Sequence, residues 1–349
     1  NTIINCLDKS DVIKISANNV KISGFTIDDA GQNFWRRVDA GIEITSNKNN
    51  IIIESNIIRN GYCGVFLQAS DNVTIKDNIF HSNNGPSIWL SGDGKNNKII
   101  ENQIIREKNK KGGGIWLENF SPDNIIKDNN FTNSGIFFFG NKIDYFTQNI
   151  EGNIVNNRPL FYRINQKNIQ IPENAINIIL VNCSDIKINN NNAQNAEVGI
   201  LLAFCSNITI NNSNFSYCNG GIALINVENC KIINNTIKNI GDGIILKYSI
   251  ANVISENKII KANRLGLEII NSDNNLITKN TISTNYSTRN IELLGSYNNY
   301  VYYNNFLVYK RYMNETNYIA VDTGSNHWDD GEIGNYWWDY EEKNLNSEH

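Results

Sequence analysis

The sequence predicts an all-β protein built as a parallel β-helix, or solenoid, of about 10–12 coils with a C-terminal cap. Three observations support this prediction. A Gly-Ile-x-Leu motif recurs about every 21 to 24 residues, Asn fills 67 of the 349 positions, and only four residues are Pro. Repeats of this length are typical of solenoids, in which each coil buries its apolar face against its neighbours.

The Gly-Ile-x-Leu motif and its close relatives mark one strand in each coil. Around it, apolar residues alternate in short runs that Asn, Gly, Asp or Ser interrupt, which is typical of short strands joined by tight turns. Helical spacing is nowhere sustained. The second residue of the motif should therefore point inward in every coil and form one apolar column: Ile42, Val65, Ile88, Ile115, Ile136, Ile200, Ile222, Ile244, Leu267 and Ile291.

A second repeat lies about ten residues after each motif. Here an Asn stands at one fixed point of the period: Asn56, Asn78, Asn102, Asn129, Asn235, Asn257, Asn280 and Asn304. We expect these residues for two reasons. Asn tolerates a left-handed backbone at a turn, and identical amides stacked along the solenoid axis can hydrogen-bond to one another.

The repeat is interrupted twice. Residues 141–198 lack a clean start to a coil and contain two of the four prolines, so we expect a looped excursion there that returns to the stack. After residue 306 the period fades into a segment rich in Trp, Tyr, Gly and Asp. The predicted organisation is therefore a β-helix over residues 1–306 and a capping segment over residues 307–349, because a solenoid needs its last apolar coil covered.

The chain resembles the NosD-like right-handed β-helix proteins in three places. These are the coil repeat, the stretch GNIVNNRPLFYRI followed by INIILVNCSDI, and the terminal NHWDDGEIGNYWWDY. The resemblance implies a right-handed parallel β-helix of the carbohydrate-binding and sugar-hydrolase repeat type, found among surface and secreted proteins. The family name implies a copper-related accessory role.

The residue types disfavour that copper role. Copper sites use Cys, Met and His, yet Met313 is the only methionine and His81, His327 and His349 lie far apart in sequence. No His-x-His, Met-x-Met or Cys-x-x-Cys motif occurs. We therefore predict no metal site.

Cysteines and stacked glutamates leave two further questions. Cys183 and Cys205 occupy equivalent places in successive coils, and buried thiols are favoured over a disulfide because stacked side chains do not converge as a disulfide requires. Glu268 and Glu292 also stack, and a charge ladder balanced by Arg264 and Arg289 is favoured over a calcium site. We thus expect no cofactor, with calcium as the weakly supported alternative.

The strongest functional indication comes from the third residue of the motif. Because strand residues alternate, this residue should point outward and form a ladder that begins Glu43, Phe66, Trp89, Trp116 and Phe137. Polar residues should line its margins, including Gln68 beside it and, at the turn entering the sheet, Arg59, His81 and Arg106. Such an aromatic strip suits an extended sugar chain, whose C–H faces stack on rings while its hydroxyls bind polar groups.

An alternative interpretation keeps these rings buried. The loop at residues 31–40, or the excursion at 141–198, would then fold over the ladder and make a second small core, since long exposed aromatic patches are rare without a partner.

Catalysis is left open by the sequence. Glycoside hydrolysis uses two carboxyl groups about 5 to 9.5 Å apart. Asp93 and Glu118 lie on adjacent coils and would meet this requirement if Asp93 is still on its strand, while Asp28, Asp29 and Asp39 could converge around a short loop.

The function expected from these patterns is polysaccharide binding at the cell surface or outside the cell, with hydrolase, lyase or epimerase activity open. A structural surface or adhesion module without catalysis is the alternative. The formal net charge of −4 and the dispersed Lys and Arg exclude a nucleic-acid partner. No apolar run approaches the length of a membrane span, no signal-peptide pattern opens the chain, and the oligomeric state is not specified.

Overall fold

The computed structural model describes residues 2–34, 38–108, 112–285, 289–308 and 319–338. Apart from one 3-10 helix at Ile143–Phe146, every regular element among these residues is a β-strand. A search of the same residues for a helix that could span a membrane found none. Together the strands make a β-solenoid of about 13 turns, which confirms the predicted fold class and slightly exceeds the predicted number of coils.

The chain divides into two compact units. The first contains Asn1–Tyr162, Ala175–Ile178 and Asn195–Val198, and the second contains Arg163–Asn174, Ile179–Gln194 and Gly199–His349.

In the first unit, each strand pairs in parallel with its equivalent one coil later. The strands with the Gly-Ile-x-Leu motif form what we call the ladder sheet: Ile13–Ile15, Ala40–Ile44, Cys63–Gln68, Ile88–Ser91, Ile115–Glu118 and Ile136–Phe139. A second sheet contains Lys21–Ser23, Asn49–Glu54, Asp71–Lys76, Lys98–Ile100, Ile125–Lys127 and Asn149–Glu151. A third set contains Thr2–Asn5, Phe25–Asp28, Ile57–Arg59, Ile79–His81, Gln103–Ile105, Asn130–Thr132 and Ile154–Val155.

The second unit repeats this plan. One sheet contains Lys187–Asn189, Thr209–Asn211, Lys231–Ile233, Val253–Ser255, Leu276–Thr278, Tyr297–Tyr302 and Ser325–His327. The remaining strands are Asn192–Gln194, Asn214–Ser216, Gly220–Ile225, Thr236–Lys247, Lys258–Ile270, Thr281–Thr284, Arg289–Leu294, Asn305–Val308, Ala320–Asp322 and Tyr336–Trp337. Residues of three more strands, Arg158–Ile164, Ile176–Val181 and Val198–Ala203, are divided between the units.

The predicted inward column is confirmed. All ten of its members, from Ile42 to Ile291, are buried. Within the first unit Ile42, Val65, Ile88, Ile115 and Ile136 are paired in register. Burial of a branched apolar side chain stabilises a fold by about 1.5 to 3 kcal/mol, so this column contributes much of the cohesion between coils.

The Asn repeat forms hydrogen-bonded ladders inside the solenoid. In the first unit each amide Nδ2 donates to the Oδ1 of the next Asn at 3.0 to 3.1 Å, from Asn56 through Asn78, Asn102 and Asn129 to Asn153. The second unit has an equivalent ladder from Asn235 to Asn335 at 2.9 to 3.0 Å. A further ladder there runs from Asn252 to Asn326 and has no counterpart among our predictions.

The two interruptions of the repeat take specific forms. Asn149–Glu151 and Ile154–Val155 still pair in parallel with the preceding coil, so the stack continues well into the predicted excursion. The departure begins where Arg158–Ile164 turns back antiparallel to Ile154–Val155. At the other end, Ala320–Asp322 pairs in parallel with Arg289–Leu294. Residues 319–338 therefore form a further coil of the second unit, while 309–318 and 339–349 of the predicted cap lie outside the described residues.

Candidate functional site

The outward column of the ladder sheet is the most distinctive surface of the first unit. Strand register aligns Lys14, Glu43, Phe66, Trp89, Trp116 and Phe137 in this order. The alignment arises because each coil starts the motif at the same point of the repeat and because strand residues alternate between the two faces.

The aromatic members touch one another but do not form a single straight stack. Ring centroids are 5.2 Å apart for Phe66 and Trp89 and 6.0 Å apart for Trp89 and Trp116. Trp116 then contacts Phe139 at 5.4 Å, and Phe139 contacts Phe137 at 4.7 Å. The planes are tilted by 51° to 70°, which is the edge-to-face arrangement that aromatic pairs prefer. We call these five rings the aromatic ladder.

The ladder is covered at one end and more open at the other. Phe66 is only 9% exposed and packs in a small cluster with Cys63, Val38 and Tyr62. Phe34 stacks on Tyr62 with centroids 5.1 Å apart. Trp89, Trp116 and Phe137 are half-buried, and Phe139 is 39% exposed. The alternative in which residues 31–40 cover the rings thus holds for Phe66 but not for Phe139.

A carboxylate is held against the two tryptophans. Trp89 donates its Nε1–H to Glu118 Oε2 at 3.1 Å, and the Ser91 hydroxyl donates to the same oxygen at 3.3 Å. Ser91 and Glu118 are paired in register two residues further along their strands than Trp89 and Trp116. This second outward column runs from Gln68 through Ser91 and Glu118 to Phe139. The side chain of Glu118 is therefore fixed beside the rings.

A second carboxylate comes from a part of the chain that the repeat does not cover. Trp116 donates its Nε1–H to Glu197 Oε1 at 2.8 Å, and Glu197 is only 2% exposed. Its segment is attached to the first unit by Arg106, which donates to the Ala196 carbonyl at 3.3 Å, and by Asn156, which donates to the Asn195 carbonyl at 3.1 Å. Sequence analysis missed Glu197.

Arg106 differs from its predicted place. It was expected with Arg59 and His81 as a polar group at the turn entering the ladder sheet, where the residue in register with His81 is Ile105. Arg106 is only 4% exposed and bonds the Ala196 carbonyl. Its position makes it a support for the segment that carries Glu197 rather than a group on the surface.

Two other predicted margin residues are also engaged. Glu43 is buried, accepts from Lys14 Nζ at 2.7 Å and accepts from Gln68 Nε2 at 3.2 Å. Glu43 therefore lies at the covered end of the column in an ion pair with Lys14. Its hydrogen bond with Gln68 orients the Gln68 side chain along the ladder.

Asp28 and Arg59 form a separate ion pair in the third set of strands. Arg59 Nη2 lies 2.6 Å from Asp28 Oδ2, and Asn60 donates to Asp28 Oδ1 at 2.8 Å. Burial alone would raise the pKa of Asp28, but the hydrogen bonds from Arg59 and Asn60 and the charge of Arg59 outweigh it and hold that pKa below its usual value. Asp28 is thus an ionised structural partner at neutral pH.

His81 is next to Arg59 in the same column. Burial, and then the positive charge of Arg59, lower the pKa of His81. Because the pKa of His81 is lower in the folded chain than in the unfolded chain, protonation of this side chain favours unfolding. The stability that His81 contributes is therefore complete above the ordinary histidine pKa of about 6.5 and declines as the pH falls below that value.

We predict that His81→Gln reduces the difference in the free energy of unfolding between pH 7.5 and pH 5.5, measured by urea unfolding. An unchanged difference would contradict this assignment.

The remaining catalytic candidates differ in burial and in their hydrogen-bond partners. Asp93 lies beyond the end of strand Ile88–Ser91, is exposed, and accepts a 3.4 Å hydrogen bond from Ser121. Asp39 is buried and accepts from the Asn33 backbone N–H at 3.0 Å. Asp29 is half-buried, and its backbone carbonyl accepts from Asp8. The condition set for the Asp93–Glu118 pair, that Asp93 remain on its strand, is not met.

Comparison with known proteins places the chain in a class and then in a family. Residues 1–131 match the model of the right handed beta helix region, so the solenoid is a right-handed parallel β-helix. Residues 145–342 match the family described as periplasmic copper-binding protein (NosD). This match covers more than half of the chain, which therefore belongs to the NosD family. A search of curated proteins found no match.

Solved β-helix structures are similar only at a coarse level. A periplasmic alginate epimerase, AlgG, is 14% identical with a TM-score of 0.32, covering 88% of this chain and 84% of its own. A mannuronan C-5 epimerase module from Azotobacter vinelandii is 13% identical with a TM-score of 0.32, covering 93% and 80%. PfbA, a surface adhesin of Streptococcus pneumoniae, is 14% identical with a TM-score of 0.26, covering 85% and 82%. Similarity this low carries no functional argument.

The family description names copper, which bears on the histidines and cysteines of the described residues. The described residues contain no group of three or more His, Cys, Asp or Glu side chains placed to hold a metal ion. His327 stacks on Tyr300 with ring centroids 4.5 Å apart, and His81 lies beside the cationic Arg59. Met313 and His349 lie outside the described residues.

The cysteines of the second unit are buried free thiols. Cys183 and Cys205 lie in successive coils, and the backbone N–H of Cys183 donates to Cys205 Sγ at 3.4 Å. A hydrogen bond with the Cys205 side chain lowers the pKa of Cys183 to about 7, while burial raises the pKa of Cys205. Both thiols donate to neighbouring backbone carbonyls, Cys183 to Val181 at 3.3 Å and Cys205 to Leu180 at 3.3 Å.

The stacked glutamates of the second unit are balanced by cations, though not by the predicted pairs alone. Arg289 pairs with Glu292 as expected. Glu268 pairs instead with Lys247 at 3.2 Å, because Arg264 is engaged by Asp242.

Proposed function

We propose that this protein binds polysaccharide outside the cytoplasm, and that the aromatic ladder of the first unit is its binding surface. The observation that carries the proposal is the run of touching rings from Trp89 to Phe139, with the Glu118 carboxylate fixed beside them by Trp89 and Ser91. The periplasmic description of the family supports a location outside the cytoplasm.

The chemistry of the ladder suits a sugar chain better than a purely apolar ligand. Aromatic faces bind the C–H faces of sugar rings, while a few fixed polar groups receive hydroxyl hydrogen bonds. Glu118 supplies two acceptor oxygens beside Trp89, and Gln68 supplies an amide further along the same column. A chain lying along the ladder sheet would therefore meet aromatic rings in one column and the polar groups of Gln68, Ser91 and Glu118 in the next.

The ladder contains its own control for this proposal, because its rings differ in burial. Phe66 is enclosed by Val38 and Tyr62, whereas Trp116 and Phe139 are partly open. We predict that Trp116→Ala and Phe139→Ala each weaken polysaccharide binding by about 1 to 3 kcal/mol, as loss of an aromatic anchor does. Phe66→Ala should instead lower the melting temperature more than Phe139→Ala, since only the buried ring leaves a cavity.

The experiment is a binding screen with the whole chain, followed by the variants. Cello-oligosaccharides, xylan, mannan, chitin oligomers and alginate are tested by affinity electrophoresis, and any that bind are measured by isothermal titration. Binding that both variants reduce, with the melting temperature of Phe139→Ala close to wild type, supports the proposal. Trp116→Ala also removes a partner of the buried Glu197, so its melting temperature is expected to fall and only its binding is used in the test. A large stability loss in Phe139→Ala, without affinity for any polymer in the screen, would instead support a structural or adhesion module.

Hydrolase, lyase or epimerase activity stays a prediction that goes beyond binding. Glu118 is the carboxylate best placed against a bound chain, because it is fixed beside Trp89. If it is an acid or base in turnover, Glu118→Gln should abolish product formation while binding persists, measured by reducing ends, unsaturated products and inversion of sugar configuration. Equal turnover in this variant and in wild type would remove Glu118 from any catalytic role.

A further inference from the structure

The last described coil of the second unit contains a hollow of about 490 Å³, separate from the ladder and made by other residues. Trp328, Tyr336 and Trp337 supply aromatic walls, and Asp329 and Glu332 lie on the loop that borders them. Ligand sites commonly enclose about 300 to 1,000 Å³, so the hollow is large enough for a small molecule.

The aromatic walls are held in place by contacts with one another and with residues outside the hollow. The Trp328 and Trp337 ring centroids are 5.7 Å apart. Trp337 stacks on Phe306 with centroids 4.6 Å apart, and Trp328 donates its Nε1–H to Asp322 Oδ2 at 3.0 Å. Since the indole N–H of Trp328 is used by Asp322, this side chain offers a ligand its ring rather than a hydrogen bond.

The bordering loop is also fixed, and its charge is of one sign. Asp330 accepts from the backbone N–H groups of Glu332 at 3.0 Å and Ile333 at 2.7 Å, and Asp329 accepts from that of Gly331 at 3.0 Å. Residues 319–338 contain four carboxylates and no Lys or Arg in the sequence. Asp329 and Glu332 line the hollow, so their charge acts on whatever enters it.

We propose that this hollow is a binding site for a small organic ammonium ion. Aromatic faces attract a cation through their negative electrostatic potential, and a weakly hydrated ammonium group surrounded by carbon is recognised well by Trp. The adjacent carboxylates add a charge attraction that a neutral sugar would not receive. The site is independent of the glycan-binding proposal, because it uses none of the ladder residues.

The test compares two molecules of the same shape. Choline and dimethylbutanol, in which a carbon replaces the charged nitrogen, are titrated into the full chain and followed by ligand-observed NMR. We expect saturable choline binding that is about tenfold tighter than that of dimethylbutanol, as cation recognition by rings and carboxylates predicts. Glu332→Gln should weaken choline binding severalfold and leave dimethylbutanol unchanged.

A matched variant separates local recognition from general charge. Glu228 is another exposed glutamate of the second unit, so Glu228→Gln changes the net charge equally and should leave choline affinity unchanged. The proposal is overturned if choline does not bind saturably, if both probes bind equally, or if Glu228→Gln weakens choline as much as Glu332→Gln. Tighter binding of calcium or of methyl glucoside at the same place would also overturn it.

Discussion

Asn102→Asp is expected to lower the free energy of unfolding by about 3 to 5 kcal/mol, the usual effect of leaving a charge buried without compensation. Asn102 is fully buried. Its Nδ2 donates to the Ile75 carbonyl at 2.9 Å, the Ile100 carbonyl at 3.0 Å and Asn129 Oδ1 at 3.0 Å. Aspartate has the same shape but would present an oxygen to these acceptors, so the substitution converts attraction into repulsion with almost no change in volume.

The loss should depend on pH in a defined direction. Burial among acceptors raises the pKa of a carboxyl group above the unfolded value of about 3.9. The penalty should therefore be smallest below that value and grow as the pH rises towards the pKa of the folded variant. Urea unfolding at several pH values measures this. Asn96 is exposed, and Asn96→Asp provides the same chemical change as a control with little expected effect. Equal losses in both variants would contradict the buried-ladder explanation.

The asparagine ladders could be predicted from the sequence because they depend only on the period of the repeat. Residues one coil apart pair in a parallel solenoid, so an Asn repeated at one point must stack, as Asn78 and Asn102 do. The other reason we gave for this Asn, that it adopts a left-handed backbone at the turn, was wrong. The left-handed residue of the turn is the one before it: Ser55, Asp77, Glu101 and Asp128 have φ of 52° to 58°. Ladder geometry alone explains these asparagines.

The candidate site could be predicted only where it follows the repeat. The order of Phe66, Trp89, Trp116 and Phe137 was available from the motif. Phe139 was available too, because it stands two residues after Phe137 on the same face. The cover over Phe66 and the position of Glu197 were not available, since they depend on how a loop and a returning segment fold. Residues outside the period carry no register that a sequence can reveal.

The glycine of the motif shows why local preference and coil stacking can disagree. Val is a good strand residue, yet a Cβ at Gly64 would lie 2.3 Å from the Ser87 carbonyl oxygen and 2.7 Å from the Phe80 ring. The Ser87 oxygen also accepts from the Val65 N–H at 2.9 Å, so it cannot withdraw without breaking the pairing of two coils. Equivalent close approaches occur at Gly41, Gly221 and Gly243.

Gly64→Val should therefore destabilise the chain by more than about 3 kcal/mol, and Gly64→Ala by less, because overpacking against fixed backbone grows with side-chain size. Gly334→Ala is the control, since the nearest atom to its added Cβ would lie at 3.4 Å. Thermal melts of the three variants measure the order. The pairing of strands Cys63–Gln68 and Ile88–Ser91 also sets the contact between Phe66 and Trp89. A Cβ at Gly64 should disturb this pairing, so Gly64→Ala should weaken polysaccharide binding as well. If Gly64→Val melts like wild type, the motif glycine is not required by coil packing.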